Sequence, residues 1–128
     1  MASFNVTGID ELIADMQLEA ERIERNGPAA AIAGAEASIE AMRKTVPVAS
    51  GGLRDHIKYK GPWHDAVDGH FADVFPTGKD EHGERYETIG FVNEYGRSNM
   101  AANPWMRKAI ETEGDAIGEK MAEVLLRD

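Results

Sequence analysis

Four histidines and several neighbouring carboxylates are the residues of this sequence that could bind a metal ion. His64 is followed by Asp65, and Asp68 precedes His70, so these two pairs could supply imidazole and carboxylate ligands to a divalent cation. The spacing of the histidines is wide and irregular, and it fits no HxxxH or HExxH frame. The four residues are His56, His64, His70 and His82. We expect them to be surface histidines, with no metal site and no cofactor.

No other pattern typical of catalysis is visible in the sequence. Ser50 lies between Ala49 and the glycine pair Gly51-Gly52, and a turn explains this context without a nucleophile. Dinucleotide-binding, phosphate-binding and nucleophile-elbow motifs are absent from the sequence, as is cysteine. We therefore expect a protein that is not an enzyme. An enzyme with a metal between residues 64 and 82 is the alternative, which metal analysis would detect.

The composition is acidic and otherwise ordinary. The 128 residues include 14 Lys+Arg and 23 Asp+Glu, which gives a formal net charge of −9. Such a chain is repelled by phosphate backbones, which argues against a protein that grips DNA or RNA. A hydrophobic content of 42% suffices for one domain over residues 1–128. The sequence shows no membrane span and no secretory signal, so we expect no membrane partner and synthesis in the cytoplasm.

The two signs of charge are concentrated in different segments. Residues 43–60 contain one acid, Asp55, among several bases, whereas residues 64–87 are rich in acids. Solvated surface charge explains both runs, but opposite patches on one small chain also suit head-to-tail association of copies. We expect the bases, here named the basic belt, at subunit contacts. The basic belt consists of Arg43, Lys44, Arg54, Lys58 and Lys60.

Hydrophobic periodicity predicts helices at both ends of the chain. An apolar stripe predicts a first helix over residues 8–25, and Asn26-Gly27 is typical of a helix stop. Pro28 is suited to opening a second helix over residues 28–46. In that helix alanines recur at every fourth position, at residues 29, 33, 37 and 41, and would let another helix approach closely. A last helix is predicted over residues 104–126, with Asn103 as its cap.

The region of residues 53–100 has a weaker pattern. One strand is predicted at about His70 to Phe75, inside a long polar loop from Gly61 to Gly83. A short helix is predicted over residues 85–95. The sequence therefore predicts an α+β fold with two N-terminal helices, a small antiparallel sheet with a long loop, and a C-terminal helix packed on the sheet.

The segment FVNEYGRSNMAANPWMRKAIE, residues 91–111, predicts a stiff corner before the last helix. Gly96 would take a positive φ at a helix end, and Pro104 would preset the start of the next helix. Trp105 would cover the corner, and its indole N–H needs an acceptor. Glu94 near a helix C-terminus opposes the helix dipole, so it needs a partner. Arg97, Arg107 and a backbone N–H are the alternatives.

FVNEYG followed by ANPWMRKAIE resembles the motif pair of the phage tail-component family, the neck and tail-completion proteins of long-tailed bacteriophages. The positions that carry this resemblance are Glu94, Tyr95, Gly96, Pro104, Trp105 and Arg107. The turn ASGGLRDHI, with Gly52-Leu53-Arg54, is similar to the family segment between the helices and the sheet. The family tends to Thr where this chain has Arg97, and to Phe where it has Trp105.

The resemblance implies a protomer that forms a ring, commonly of six copies, between the head connector and the tail tube of the virion. We therefore expect a structural neck protein for tail completion or head–tail joining. Its partners would be other copies and the neighbouring neck and tail-tube proteins. DNA would pass through the lumen without specific binding, with Asp65, Asp68 and Asp73 facing it. The six corner positions would be structural or lie at subunit contacts.

Two alternatives to tail completion remain at this point. A tail terminator or stopper protein would also form a ring in the neck. A small acidic inhibitor that binds a protein, or that mimics DNA, would explain the net charge of −9. The basic belt argues against a uniformly phosphate-like surface and therefore against DNA mimicry.

Overall fold

The computed structural model describes residues 7–47 and 52–128, so Ser50 and Gly51 of the turn predicted at Ser50-Gly51-Gly52 lie outside the described residues. The elements are α1 (Thr7–Thr45), α2 (Gly52–Asp55), β1 (Ile57–Asp65), β2 (Gly69–Pro76), α3 (Tyr86–Tyr95) and α4 (Trp105–Leu125). The predicted α+β class is confirmed, with helices at both ends and a two-stranded antiparallel sheet between them.

A single helix runs through the position where the sequence predicted a break. α1 continues across residues 26–28, so the prediction of two N-terminal helices is wrong. The Asn26 side chain donates hydrogen bonds to the Leu125 carbonyl (3.0 Å) and to a second carbonyl two residues later (2.6 Å). Gly27 is buried, and a Cβ there would lie 2.1 Å from the His70 ring. Asn26 and Gly27 therefore contact the end of α4 and the start of β2, and α1 continues through them.

Residues 57–76 form a hairpin where the sequence predicted one strand and a long loop. The strand predicted near His70 to Phe75 is confirmed as β2, and β1 pairs with it along almost its whole length. His64 lies directly opposite His70, and the register shifts between Lys60 and Trp63. β1 was not predicted because Gly and Pro interrupt its alternation of apolar and polar residues at this shift.

The second half of α1 packs against two different layers. α4 lies along one side of it and the hairpin along another. A Cβ on Gly34 would lie 2.6 Å from the Met121 sulfur, so a small residue permits the close approach of α4. Ala37 and Ala41 of the predicted ladder are buried, whereas Ala29 is exposed. The C-terminal helix therefore packs chiefly on α1, which corrects the expectation that it packs on the sheet.

The core lies where the end of α1, the open end of the hairpin and the start of α4 meet. Trp105 and Ile57 are both 0% exposed and lie among its largest side chains. The other members of the core are Ala37, Ile39, Ala41, Met42, Val46, Leu53, Tyr86, Ala109 and Ile117. Among the described helices, none has both the length and the hydropathy to cross a membrane.

Candidate functional site

The buried carboxylate of Glu94 binds the start of the next helix. Its Oε2 accepts the backbone N–H of Met106 (2.8 Å), and its Oε1 accepts that of Arg107 (3.2 Å). The first N–H groups of a helix lack intrahelical partners and carry partial positive charge, so a carboxylate there is doubly favoured. Of the partners considered for Glu94, the structure selects the backbone N–H. Glu94 thus opposes the dipole of α3 but complements that of α4.

Asn103 has a different role from the predicted one. Its side-chain oxygen accepts a bond from the Lys108 ammonium (3.0 Å), and its backbone N–H donates to the Asn93 carbonyl (2.6 Å). Pro104 occupies the cap position of α4, with φ −75° and ψ 69°. The prediction that Asn103 caps α4 is wrong. The side chain of Glu94, which lies in α3, accepts the first backbone N–H groups of α4 instead.

Gly96 has the positive φ that the sequence predicted. With φ 75° and ψ −178° it ends α3, and its N–H donates to the Val92 carbonyl. These angles lie in a region that glycine alone occupies readily. A Cβ at this position would lie 2.7 Å from the Ala102 nitrogen and 2.9 Å from the Met100 oxygen. The corner therefore requires glycine for its backbone angles and for the close approach of the following loop.

Trp105 joins α3 to α4 inside the corner. Its indole N–H donates to the Gly90 carbonyl at 3.0 Å, as its burial requires. A Cβ on Gly90 would lie 3.3 Å from the Trp105 ring, so a glycine within α3 makes room for it. Glu94, Gly96 and Trp105 thus fix the angle between the two helices.

Tyr95 and Arg107 lie on the outside of the corner. The Tyr95 side chain is 74% exposed and stacks on Phe91, which is also exposed, at 6.2 Å between ring centroids. Arg107 lies 3.8 Å from Glu111 in an exposed pair one helical turn away. Of the six corner positions, these two are therefore available for contacts with another molecule. The exposed Phe91–Tyr95 pair was not predicted as a unit, although both residues lie one turn apart in α3.

Replacing Glu94 with alanine is expected to lower the free energy of unfolding by about 1–3 kcal/mol, because two partly buried backbone N–H groups lose their acceptor. Chemical denaturation of both proteins measures this difference. Glu94→Gln keeps one acceptor oxygen and should be affected less. Glu111→Gln, which changes an exposed carboxylate of α4, is the control and should stay within about 0.5 kcal/mol of the parent protein. A loss of equal size in the Glu94 and Glu111 variants would contradict the capping role.

The basic belt is partly used within the chain. The Lys44 ammonium donates to the Glu113 carboxylate at 2.6 Å, and this hydrogen bond raises the pKa of Lys44. Lys60 lies 5.4 Å from the centre of the Phe75 ring. Arg54 and Lys58 are exposed, and Arg43 is half-buried. The structure does not bring all five bases into one patch by contact, and their role at subunit contacts stays a prediction.

The three acids predicted to face a lumen are all exposed on the hairpin. Asp65 accepts the backbone N–H groups of Asp68 and Val67 in the turn, which lowers the pKa of its carboxyl group. This contribution to stability is present above the ordinary pKa of aspartate and is lost as the pH falls through the lowered value. Asp73 lies directly opposite Lys60 in the register, so the acidic and basic surfaces adjoin.

The first half of α1 projects from the rest of the protein. Residues 8–21 are all exposed, and we name residues 8–25 the arm. The apolar stripe that predicted this helix is exposed as well. The exposed stripe consists of Ile9, Leu12, Ile13, Met16 and Ile23. The periodicity predicted helical structure over residues 8–25, but periodicity alone does not show that this face is left uncovered by the other described residues.

No family model, curated protein or solved structure matches this chain.

Proposed function

We propose that this chain is a structural protein of the bacteriophage neck that acts by assembling a ring. The observation that carries the proposal is the exposed apolar stripe of the arm. A water-exposed helix with such a stripe is not stable by propensity alone, because most helical stability in proteins comes from packing of the apolar face. The resemblance of the corner to the phage tail-component family implies that this ring lies between the head connector and the tail tube.

The arm has a charge as well as an apolar stripe. The outer part of the arm, residues 8–21, contains five carboxylates and no base, whereas Arg22 and Arg25 lie in its inner part with Glu24. The acids of the outer part are Asp10, Glu11, Asp15, Glu19 and Glu21. A surface that accepts the arm should therefore be apolar at its centre and basic at its edge.

A groove between α1 and β1 offers part of this character. Tyr59 supplies half-buried apolar lining beside the buried Ile39 and Ile57, and Arg43 and Lys58 of the basic belt supply positive charge. Glu36 and Glu40 also line the groove and balance this charge, so in the proposed contact Arg43 and Lys58 pair with acids of the arm. The arm and the groove are different surfaces of one chain. Contact between the arm of one copy and the groove of the next is heterologous, and such contacts close into rings when the rotation between copies allows.

The stiff corner supports a ring for a separate reason. A closed ring repeats one rotation between neighbours, so a small error in protomer shape accumulates around it. Glu94, Gly96 and Trp105 hold the angle between α3 and α4 by buried contacts. The exposed Phe91–Tyr95 pair lies on the outer face of α3 and offers a contact for a neighbouring copy or another neck protein.

The net charge of −9 suits a ring through which DNA passes. A channel wall rich in lysine would bind the phosphates through counterion release and would retain the DNA. In the proposed ring Asp65, Asp68 and Asp73 face the channel and keep the duplex from binding its wall. A terminator or stopper protein would make the same kind of ring, and the neck proteins that bind it distinguish these roles.

Assembly is expected to depend on the arm. The purified protein should form a closed oligomer of one size, and Leu12→Asp/Ile13→Asp should reduce it to a monomer, because two carboxylates would be buried in an apolar contact. Light scattering coupled to size-exclusion chromatography gives the mass of each species. Val67→Asp is the matched control, since Val67 is an exposed apolar residue of the hairpin turn, outside the arm. This control should still assemble.

Two results would contradict the proposal. One is a parent protein that stays monomeric at concentrations well above those in an infected cell. The other is a double variant that assembles as well as its parent. Circular dichroism of the double variant should retain the helical signal of the folded body, which separates loss of assembly from loss of folding.

A further inference from the structure

Three side chains from three elements converge beside the hairpin turn. Glu24 lies at the base of the arm, His64 near the end of β1 and His70 near the start of β2. The Glu24 carboxylate is 3.5 Å from Nε2 of His70 and 4.0 Å from Nε2 of His64. The two imidazole rings lie 4.5 Å apart between centroids. One ligand atom from each residue lies within 4.8 Å of both others.

The His70 ring is fixed by packing, but one of its nitrogens lacks a hydrogen-bond partner among the described residues. Its ring packs on Gly27 of α1, where a side chain would collide with it. Its side chain is only 15% exposed, and its Nε2 has no hydrogen-bond partner among the described residues. The 3.5 Å approach of Glu24 is within ion-pair range but does not make a hydrogen bond. A buried polar atom without a partner is destabilising, and a cation bound to this nitrogen would satisfy it.

We propose that Glu24, His64 and His70 bind one transition-metal cation, Zn²⁺ foremost, which ties the hairpin turn to α1. Two imidazole nitrogens and one carboxylate are a ligand set that Zn²⁺ uses widely, whereas Mg²⁺ and Ca²⁺ prefer oxygen ligands alone. Ligand atoms about 2.0–2.1 Å from a tetrahedral Zn²⁺ lie about 3.4 Å from one another. The Glu24 carboxylate lies 3.5 and 4.0 Å from the two imidazole nitrogens, and all three ligand atoms lie within 4.8 Å of one another. Rotation of the exposed Glu24 and His64 side chains would bring them to the tetrahedral spacing.

The site differs from the one that the sequence suggested. Asp65 and Asp68 were the carboxylates considered as partners of the histidines. Asp65 instead accepts backbone N–H groups of its own turn. Glu24 replaces these acids in the site, and it is distant in sequence from both histidines. The cross-strand register places His64 opposite His70, which explains how an irregular spacing can yield a ligand pair.

Isothermal titration of ZnCl₂ into the full chain tests the site. The protein is prepared without a histidine tag and stripped with a chelator that is then removed. One Zn²⁺ should bind per chain, and MgCl₂ should give no binding. Glu24→Gln and His64→Ala should each weaken Zn²⁺ affinity at least about tenfold, because loss even of a group that only supports a metal ligand has an effect of this size. Both side chains are more than half exposed, at 67% and 52%, so neither change should disturb folding.

His82→Ala is the matched control, because His82 is an exposed histidine 3.5 Å from the carboxylate of Glu81 and lies outside the cluster. It should leave Zn²⁺ affinity unchanged. Amide hydrogen exchange should also slow in the hairpin turn when Zn²⁺ is added to the parent protein, but not when it is added to His64→Ala. Absence of Zn²⁺ binding would overturn the proposal. Binding that survives in both Glu24→Gln and His64→Ala, or that requires His82, would overturn it equally.

Discussion

Trp105→Ala is expected to lower the free energy of unfolding by about 3–5 kcal/mol. Trp105 is 0% exposed, so its removal leaves a large cavity where α1, α3 and α4 meet. The variant also loses the hydrogen bond from the indole N–H to the Gly90 carbonyl. Chemical denaturation followed by circular dichroism measures the difference. Trp105→Phe keeps most of the apolar volume and should lose much less, so it gives a measurable comparison if the alanine variant does not fold.

Trp63→Ala is the matched control for this prediction. Trp63 is 48% exposed on the hairpin, so its truncation removes fewer buried contacts and should cost well under half as much. Equal losses in the two tryptophan variants would contradict the placement of Trp105 at the centre of the core.

Substituting Gly96 is expected to have the second largest effect. Alanine or valine at φ 75° and ψ −178° costs about 1–3 kcal/mol from backbone strain. The added Cβ would also lie 2.7 Å from the Ala102 nitrogen, so the loop before α4 must move. That movement would pull the start of α4 away from Glu94. We therefore expect Gly96→Val to lower the free energy of unfolding by at least this amount, as measured by thermal and chemical denaturation.

A substitution at Gly83 distinguishes backbone strain from steric overlap, the two causes of the loss expected at Gly96. It also has a positive φ, of 80°, but a Cβ there would meet no atom within 4 Å. Gly83→Ala should therefore cost about 1–2 kcal/mol, the contribution of the left-handed backbone alone. Gly96→Ala should exceed it clearly. Similar losses in the two alanine variants would show that the close approach at Gly96 is unimportant.

Local signals predicted the elements whose periodicity and flanking residues lie within one segment of the sequence. The short helix before Gly96, the strand near His70 to Phe75 and the C-terminal helix all follow from periodicity and from glycine or proline at their ends. The positive φ of Gly96 and the need of Trp105 for an acceptor were predicted for the same reason. Each depends on the chemistry of one residue and its near neighbours.

Predictions failed where a residue serves a distant element. Asn26-Gly27-Pro28 is locally typical of a helix end. In the structure Asn26 instead binds the end of α4, and Gly27 leaves room for the His70 ring. Asn103 reads locally as a cap, but Glu94 binds the first N–H groups of α4. Neither contact is visible in the local sequence, because each joins segments that only the folded chain brings together.

In the proposed ring, the roles of the exposed surfaces depend on neighbouring copies. The sequence placed Ile9, Leu12 and Ile13 on one helical face, and the structure leaves this face exposed. The lumen assignment of Asp65 and Asp73 depends in the same way on the arrangement of copies. Ring assembly is therefore the central claim on which these assignments depend.

Electron cryomicroscopy of the purified 128-residue chain tests this claim most directly. We predict a closed ring with a central channel, in which the arm of each copy lies in the groove of its neighbour between α1 and β1. Asp65, Asp68 and Asp73 should face the channel in that reconstruction. Single protomers only, open filaments, or a ring in which the arm contacts no neighbouring copy would contradict the account.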